Sequence, residues 1–185
     1  MQYDYDLLVI GGGSGGVRAA RISSAQGKRV ALVEKQYLGG TCVNVGCIPK
    51  KLFHYASQLS AQCHEAIGFG WSSATASHHW PTLVANVSAE VQRLNGLYQK
   101  LLLDAGVDVI RGMAQLLGNH TVVVDGKPLT AQRILLAVGG APWKPDIAGI
   151  EYAITSDDFF SLSVRPERAV VVGGGYIAVE LASIL

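Results

Sequence analysis

The sequence has 185 residues, 49% of them hydrophobic, and its 15 basic and 14 acidic side chains leave a formal net charge of +1. This length and balance fit one well-packed domain with the beginning of another. No run of Lys and Arg is longer than a pair, so nothing indicates a nucleic-acid or anionic-membrane partner. No basic leader precedes the first apolar segment and no apolar stretch could span a bilayer, so we expect a cytoplasmic protein.

The first 34 residues predict a strand, a glycine-rich turn, a helix and a second strand. The apolar run over 5–10 is typical of a buried strand, and the Ala- and Arg-rich stretch after the turn predicts a helix that ends at Gly27. Residues 29–34 predict the second strand. This order is that of a nucleotide-binding βαβ unit.

The turn contains the G-x-G-x-x-G pattern as Gly11, Gly13 and Gly16, which we call the first glycine fingerprint. Glycines here permit a tight turn, close approach to a pyrophosphate and close packing of the helix on the strand, while the helix N-terminus attracts the phosphates. Glu34 closes the second strand, where an acid can accept hydrogen bonds from ribose hydroxyls. Together these features predict a dinucleotide site.

Two cysteines, Cys42 and Cys47, follow this unit as a C-x4-C pair. In a regular α-helix such residues rise by about 7.5 Å, beyond the usual disulfide Cα separation of about 6 Å, so pairing requires a local distortion. Gly46 permits one, and Pro49 indicates that a helix begins near Cys47. That N-terminus and Lys50-Lys51 favour the thiolate. Two buried apolar cysteines are the alternative, but the nucleotide pattern favours a redox dithiol.

The middle of the chain predicts two helices, over 50–66 and 81–105, joined by a polar loop over 68–80. The second helix is amphipathic and ends at Gly106. His78 and His79 in the loop lack further ligands at metal spacing, so we predict no metal site.

The remainder predicts short strands over 107–138, with a hairpin turn at Asp125-Gly126 and a last strand over 134–138. After a Pro-rich stretch, a strand over 169–172 runs into G-x-G-x-x-A at Gly173, Gly175 and Ala178, the second glycine fingerprint, which opens a helix that continues to the chain end. Two such motifs indicate two dinucleotides, a flavin and a nicotinamide being the natural pair.

The motifs resemble those of the flavin-dependent pyridine nucleotide disulfide oxidoreductases, and within that family the glutathione reductases. The resemblance rests on the first glycine fingerprint with Glu34, on the segment 39–51 around the cysteines, and on the segment 173–180. It implies an α/β fold with a Rossmann-like FAD-binding domain over 1–145, a crossover linker over 146–167, and the start of an incomplete NAD(P)-binding Rossmann domain over 168–185.

The same resemblance implies the cofactor site. The ADP half of FAD would be held by the first glycine fingerprint and Glu34, and Cys47 would lie against the isoalloxazine. The further cofactor-binding residues implied are Ser14, Gly15, Gly40, Thr41, Cys42, Lys50, Gly139, Gly173, Gly175, Tyr176, Ile177, Ala178 and Glu180. Tyr176 corresponds to an aromatic residue that covers the flavin until the nicotinamide displaces it.

The resemblance also implies a reaction, the NADPH-dependent reduction of glutathione disulfide. Cys42 would be the more exposed thiol and would attack the substrate, and Cys47 would resolve the mixed disulfide. Lys50 and Glu180 would be paired near flavin N5. The catalytic histidine of the family comes from the partner subunit of a homodimer, in a domain that these residues do not include, so we expect the 185 residues alone to be inactive. The residues that separate NADPH from NADH are expected beyond Leu185.

Ser14, Arg21 and Tyr98 correspond to glutathione contacts, where a cationic arginine suits the carboxylates of the tripeptide. Arg21 also fits an ordinary solvated helix residue. Glu90 stands where some glutathione reductases carry an aromatic residue, which leaves part of the substrate wall undefined. The alternatives are a thioredoxin reductase, which shares the Cys-Ile-Pro-Lys-Lys-Leu run, and a non-catalytic FAD-binding fragment.

Overall fold

The structure is a computed structural model that describes residues 2–72 and 77–185. The chain divides into two compact units, which we describe separately. The first unit comprises Met1–Asn44 and Gln92–Ala141, and the second comprises Val45–Val91 and Pro142–Leu185. The domain boundaries that the sequence predicts at 145 and 167 stay a prediction.

The first unit is built on one six-stranded sheet in the order β3-β2-β1-β6-β5-β4. Its strands are β1 (Tyr5–Ile10), β2 (Val30–Glu34), β3 (Val107–Arg111), β4 (Ala114–Leu116), β5 (Thr121–Val124) and β6 (Lys127–Leu136). The first three and β6 run parallel, whereas β4, β5 and β6 pair antiparallel. Helix α1 (Ser14–Ala25) links β1 to β2. This is the α/β, Rossmann-like arrangement that the sequence predicts.

Both faces of this sheet are covered, because successive residues of a strand point to opposite faces. Val9 and Leu32 are fully buried in one cluster with Val17 of α1, while Leu8 and Val33 are buried in a second cluster on the other side. Each such side chain contributes about 1.5 to 3 kcal/mol on burial. The unbroken Val-Ala-Leu-Val run of β2 is typical of a parallel strand covered on both faces.

The second unit is helical. Its elements are α3 (Cys47–Ala66), a 3-10 turn (Ile67–Phe69), a second 3-10 turn (Ile150–Tyr152), α5 (Ser156–Phe159) and α6 (Tyr176–Ala182). Four rings, Phe53, Trp80, Phe159 and Phe160, form what we call the aromatic cluster, joined by Ile184 from beyond the end of α6. Phe53 lies at its centre with ring centroids 5.1 Å from Trp80 and 5.7 Å from Phe159.

The long helix predicted from Pro81 is α4 (Trp80–Asp104), which contributes residues to both units. The predicted loop over 68–80 falls partly on residues 73–76, which lie outside the described residues. Across the two ranges that the structure describes, no helix combines the length and apolar character needed to cross a membrane.

The hairpin turn at Asp125-Gly126 is confirmed, since both residues have positive φ values, 46° and 83°, as a type I′ turn requires. Three predictions about secondary structure are wrong. The expected strand over 134–138 is the end of the single strand β6, because β1 pairs with it as far as Leu136. Residues 169–172 form no strand, because no neighbouring strand pairs with them, and Val170 is 93% exposed. Helix α6 ends at Ala182 rather than at the last residue.

Candidate functional site

The first glycine fingerprint lies at the carboxyl end of β1 and leads directly into α1. Its tightest contact is inside the loop, where a Cβ on Gly16 would collide with the carbonyl oxygen of Gly11. Gly13 is the N-cap of α1, so the first N–H groups of this 12-residue helix open from the loop. Such an N-terminus, free of intruding side chains, is the arrangement that binds a pyrophosphate.

Glu34 ends β2 beside this loop. Its Oε2 accepts a hydrogen bond of 2.6 Å from the backbone N–H of Gly12, and its Oε1 accepts one of 2.7 Å from the N–H of Gln36. The carboxylate of Glu34 is therefore fixed in orientation by two backbone donors, and its role as a ribose acceptor stays a prediction. Each carboxylate oxygen keeps lone-pair capacity for a hydroxyl. The sequence did not indicate that Glu34 also anchors the loop.

The segment that carries Cys42 lies directly against the glycine loop. The N–H of Gly39 donates to the carbonyl oxygen of Gly12 at 2.8 Å. Gly40 has a φ of +60°, and a Cβ there would lie 2.7 Å from the Cα of Gly13. Only glycine permits this backbone approach, which places Gly40 and Thr41 next to the predicted cofactor loop.

Cys42 and Cys47 belong to different helices. Cys42 is half-buried in α2 (Gly40–Asn44), whereas Cys47 is exposed and is the first residue of α3. The expectation that Cys42 is the more exposed of the two thiols is therefore wrong for this structure. The expected break in helix geometry between them is confirmed, since Val45 and Gly46 separate the two helices. Cys47 also occupies the helix N-terminus that Pro49 predicts.

Lys50 and Glu180 form an ion pair, with Lys50 Nζ donating to Glu180 Oε1 at 2.6 Å. This hydrogen bond, followed by the negative charges that Glu180, Cys47 and Tyr176 carry when ionised, raises the pKa of Lys50 against an opposing effect of desolvation. Lys50 and Glu180, which the resemblance pairs, are therefore in direct contact. The aromatic cluster holds this arrangement, because Phe53 lies one turn after Lys50 and packs with residues at the end of α6.

The second glycine fingerprint precedes α6. Gly173 has a φ of +125° and Gly175 is the N-cap of the helix, so Tyr176, Ile177 and Ala178 form its first turn. Tyr176 is 76% exposed. Gly139 lies in the first unit, exposed beyond the end of β6 with a φ of +71°.

The predicted substrate residues divide into two groups. Ser14 and Arg21 are exposed and share one face of α1, together with Arg18 and next to the exposed Gly15, because positions i, i+4 and i+7 align on a helix. Tyr98 is instead half-buried, packed on the core cluster that Val17 enters from α1. The structure brings the two arginines together on a cationic face and gives Tyr98 a mainly structural setting.

A pair of asparagines, which the sequence analysis missed, ties the segment around Cys42 to α4. Asn95 Nδ2 donates to the carbonyl oxygen of Leu38 at 2.8 Å and to Asn44 Oδ1 at 2.9 Å. Asn44 Nδ2 donates to the carbonyl oxygens of Leu38 at 3.1 Å and Gly40 at 2.9 Å. We call these four residues the asparagine clamp. The position of Asn44 within the C-x4-C motif was the available signal.

Comparison with known proteins places these features in context. Residues 5–185 match the family model of pyridine nucleotide-disulphide oxidoreductases. The chain is 51% identical over 183 residues to a glutathione reductase of Burkholderia cepacia, covering 99% of this chain and 41% of that protein. It is 48% identical over 194 residues to the chloroplastic/mitochondrial glutathione reductase of Pisum sativum, covering 99% and 35% respectively.

A thioredoxin reductase of Emiliania huxleyi is also similar, with 44% identity over 196 residues, covering 98% of this chain and 40% of that protein. The chain therefore spans about two-fifths of the length of the curated relatives it matches, 41% of the bacterial one and 40% of the algal one.

Proposed function

Because the chain belongs to the pyridine nucleotide-disulphide oxidoreductase family, we propose that its full-length protein is a flavoprotein that uses NADPH to reduce glutathione disulfide. The observation that carries the proposal is the position of Cys47 as the first residue of α3, three residues before Lys50, whose Nζ donates to Glu180 Oε1 at 2.6 Å. A cytoplasmic location and a homodimer stay predictions.

The first unit fits the ADP half of FAD. The glycines of the first fingerprint add no side chains at the N-terminus of α1, and Glu34 offers a carboxylate of fixed orientation. Gly13 and Gly40 approach each other so closely that a Cβ on Gly40 would collide with the Cα of Gly13. Ser14, Gly15 and Thr41 complete the set of residues that would bind it, while Gly139 and the first turn of α6 are proposed to contact the remaining cofactor groups. When bound, FAD supplies a two-electron carrier between NADPH and the dithiol.

The dithiol performs the reduction in two exchange steps. The Cys42 thiolate attacks one sulfur of glutathione disulfide, the S–S bond breaks, and one glutathione leaves as a thiolate that takes up a proton. The Cys47 thiolate then attacks the Cys42 sulfur of the mixed disulfide and releases the second glutathione. The substrate has gained two electrons, and the two cysteines end as a disulfide, which two electrons from NADPH reduce again.

Lys50 and Glu180 have a supporting electrostatic role in this scheme. The hydrogen bond to Glu180 raises the pKa of Lys50, so the ammonium form is favoured still further, and this positive charge lies three residues after Cys47 at the start of α3. Glu180 fixes the position of the ammonium group and partly neutralises it, so the pair presents a localised charge at the start of α3.

The exposed arginines support a substrate that carries carboxylates. Arg18 and Arg21 share one face of α1 with Ser14, and guanidinium groups bind carboxylates with charge-assisted hydrogen bonds. Glutathione disulfide carries several carboxylates, whereas a cationic substrate would be repelled by this face. Tyr98 is proposed to contribute only its edge, because much of the ring packs in the core.

The test is NADPH oxidation by the full-length protein with glutathione disulfide, compared with thioredoxin and with NADH as donor. We expect turnover with glutathione disulfide and NADPH. Cys42→Ser should abolish disulfide reduction and leave reduction of the flavin by NADPH intact. Cys63→Ser is the matched control, because Cys63 is an exposed thiol further along the helix that begins at Cys47. Full turnover in Cys42→Ser would contradict the proposal.

A thioredoxin reductase is the second candidate, and the 44% identity to the algal thioredoxin reductase favours it. NADPH oxidation that needs thioredoxin and ignores glutathione disulfide would select this function. The dithiol and the Lys50–Glu180 pair would keep their roles, and only the substrate that accepts electrons from Cys42 would change.

A further inference from the structure

The hydrogen bonds of the asparagine clamp fix the orientation of both amide side chains. An amide side chain offers two N–H donors and one acceptor oxygen. Asn95 directs both donors to Leu38 and Asn44, and Asn44 directs both of its own to Leu38 and Gly40 while its oxygen accepts from Asn95. Reversal of either amide would set an oxygen against carbonyl oxygens. The clamp is therefore specified in position and in orientation.

The clamp encloses the short helix that bears Cys42. Leu38 precedes this helix and is fully buried in the core, while Gly40 and Asn44 are its first and last residues. A five-residue helix is too short to be stable from its own hydrogen bonds. Its geometry therefore depends on outside ties, and Asn95, 51 residues away from Asn44 in the sequence, supplies the tie from α4.

We propose that Asn95 is a positioning residue that holds Cys42 in the conformation from which its thiol forms a disulfide with Cys47. This proposal rests on the proposed function, because it concerns the dithiol that reduces the substrate. Disulfide formation needs a narrow range of Cα separation and dihedral angle. A helix that is free to shift spends less time in that range, so loss of the clamp weakens the internal disulfide relative to the dithiol.

The equilibrium that Asn95 influences is the transfer of two electrons from the Cys42–Cys47 dithiol to glutathione disulfide. The thiols of Cys42 and Cys47 lose two electrons and two protons as their S–S bond forms. Glutathione disulfide accepts them as its own S–S bond breaks, which yields two glutathione thiols. The clamp acts on the protein side of this exchange, because its hydrogen bonds join Asn95 to Asn44 and to the backbone on either side of Cys42.

The test measures this equilibrium in the full-length protein with Asn95→Ala. The protein is equilibrated in glutathione redox buffers, trapped with an alkylating agent and read by mass spectrometry for the Cys42–Cys47 pair. We expect the constant for disulfide formation to fall about tenfold, which corresponds to a midpoint potential about 30 mV higher. Asn95→Asp should shift it further in the same direction, because a carboxylate would face two acceptor oxygens.

Gln92→Ala is the matched control, since Gln92 is an exposed residue of α4 one turn earlier, and its midpoint should equal that of the wild type. Should Asn95→Ala fold poorly, Asn95→Gln keeps the amide but displaces it by one methylene and should shift the midpoint in the same direction. A thermal midpoint that falls while the redox midpoint of the folded variant is unchanged would overturn the proposal. A wild-type protein with no redox-active Cys42–Cys47 pair would instead overturn the proposed function.

Discussion

The two glycine fingerprints have nearly the same sequence pattern, yet the structure uses their glycines differently. In the first, Cβ atoms on Gly11 and Gly16 would collide with neighbouring backbone. In the second, Gly173, Gly174 and Gly175 have nothing within 4 Å of a Cβ position. The first motif is sterically enforced by a sheet, whereas the second is a turn at the start of a helix.

Within these 185 residues both glycine patterns lead into a helix, and at the first the neighbouring strands also limit the space around the glycines. β1 pairs with β2 on one side and with β6 on the other, so the glycine loop that follows β1 lies among the ends of neighbouring strands. Residues 169–172 precede the second motif without a paired strand. The second region is positioned by the aromatic cluster instead, which packs residues beside and beyond α6 against α3.

The largest effect should come from Phe53→Ala, which removes the central ring of the aromatic cluster. Phe53 is fully buried, and truncating such a ring costs about 3 to 5 kcal/mol in the free energy of unfolding. We expect urea denaturation of the full-length protein to show this loss. Phe69→Ala is the control, because Phe69 is 84% exposed and should change little. Equal effects of the two substitutions would mean that the aromatic cluster does not hold the second region.

The second largest effect on stability should come from Gly16→Ala. Gly16 is the last position of the first motif, and the second motif has Ala178 at that position, so the substitution gives the first motif the residue of the second. The new methyl group would meet the Gly11 carbonyl oxygen and force the loop to move, at about 3 kcal/mol as for an overpacked core. Retention of FAD should fall as well, measured by absorbance after gel filtration of the full-length protein.

Two controls sharpen this result. Gly15→Ala adds the same methyl group one residue earlier, where nothing lies within 4 Å, and should leave the free energy of unfolding unchanged or slightly higher. It is a control for stability alone, because Gly15 is proposed to contact FAD. Ala178→Gly reverses the exchange in the second motif and should cost no more than about 1 kcal/mol, the difference in helix propensity. A Gly16→Ala protein as stable as Gly15→Ala would refute the steric argument.

Much of the fold was predictable because local patterns and tertiary partners agree. The βαβ unit has apolar runs, glycines and Glu34 in consistent positions, and Asp125-Gly126 fits a type I′ turn whatever its partners are. Residues 169–172 show the limit. Their apolar sequence is compatible with a strand, but a strand also needs neighbours, and that requirement is not visible in a local window.

The spacing of Cys42 and Cys47 predicted the dithiol, and the resemblance implied the pairing of Lys50 with Glu180, which is present as an ion pair. The roles of these four residues stay predictions. The residues that position the site could not be predicted from the sequence. Asn95 resembles any polar residue on an amphipathic helix, and its role appears only when the fold brings it to Asn44. Phe53 likewise looks like one apolar residue of α3 among several, and its central place depends on Phe159, more than a hundred residues later.

The smallest expected effect on stability comes from the ion pair between Lys50 of α3 and Glu180 of α6, which links these two helices of the second unit. The pKa of Lys50 is raised in the folded protein, first by its hydrogen bond to Glu180. A raised lysine pKa contributes stability that is fully present below the unfolded pKa of about 10.4 and is lost as pH rises through the folded value. Glu180→Gln removes this contribution.

We therefore expect wild-type protein to be more stable than Glu180→Gln by a constant margin between about pH 8 and 10, with the margin shrinking at higher pH. Urea denaturation at a series of pH values measures it. Asp104→Asn is the control, because it breaks an exposed pair with Lys100 at 2.9 Å on α4, where solvent screens the interaction more strongly. A margin that grows with alkaline pH would mean that Glu180 does not stabilise the ammonium form of Lys50.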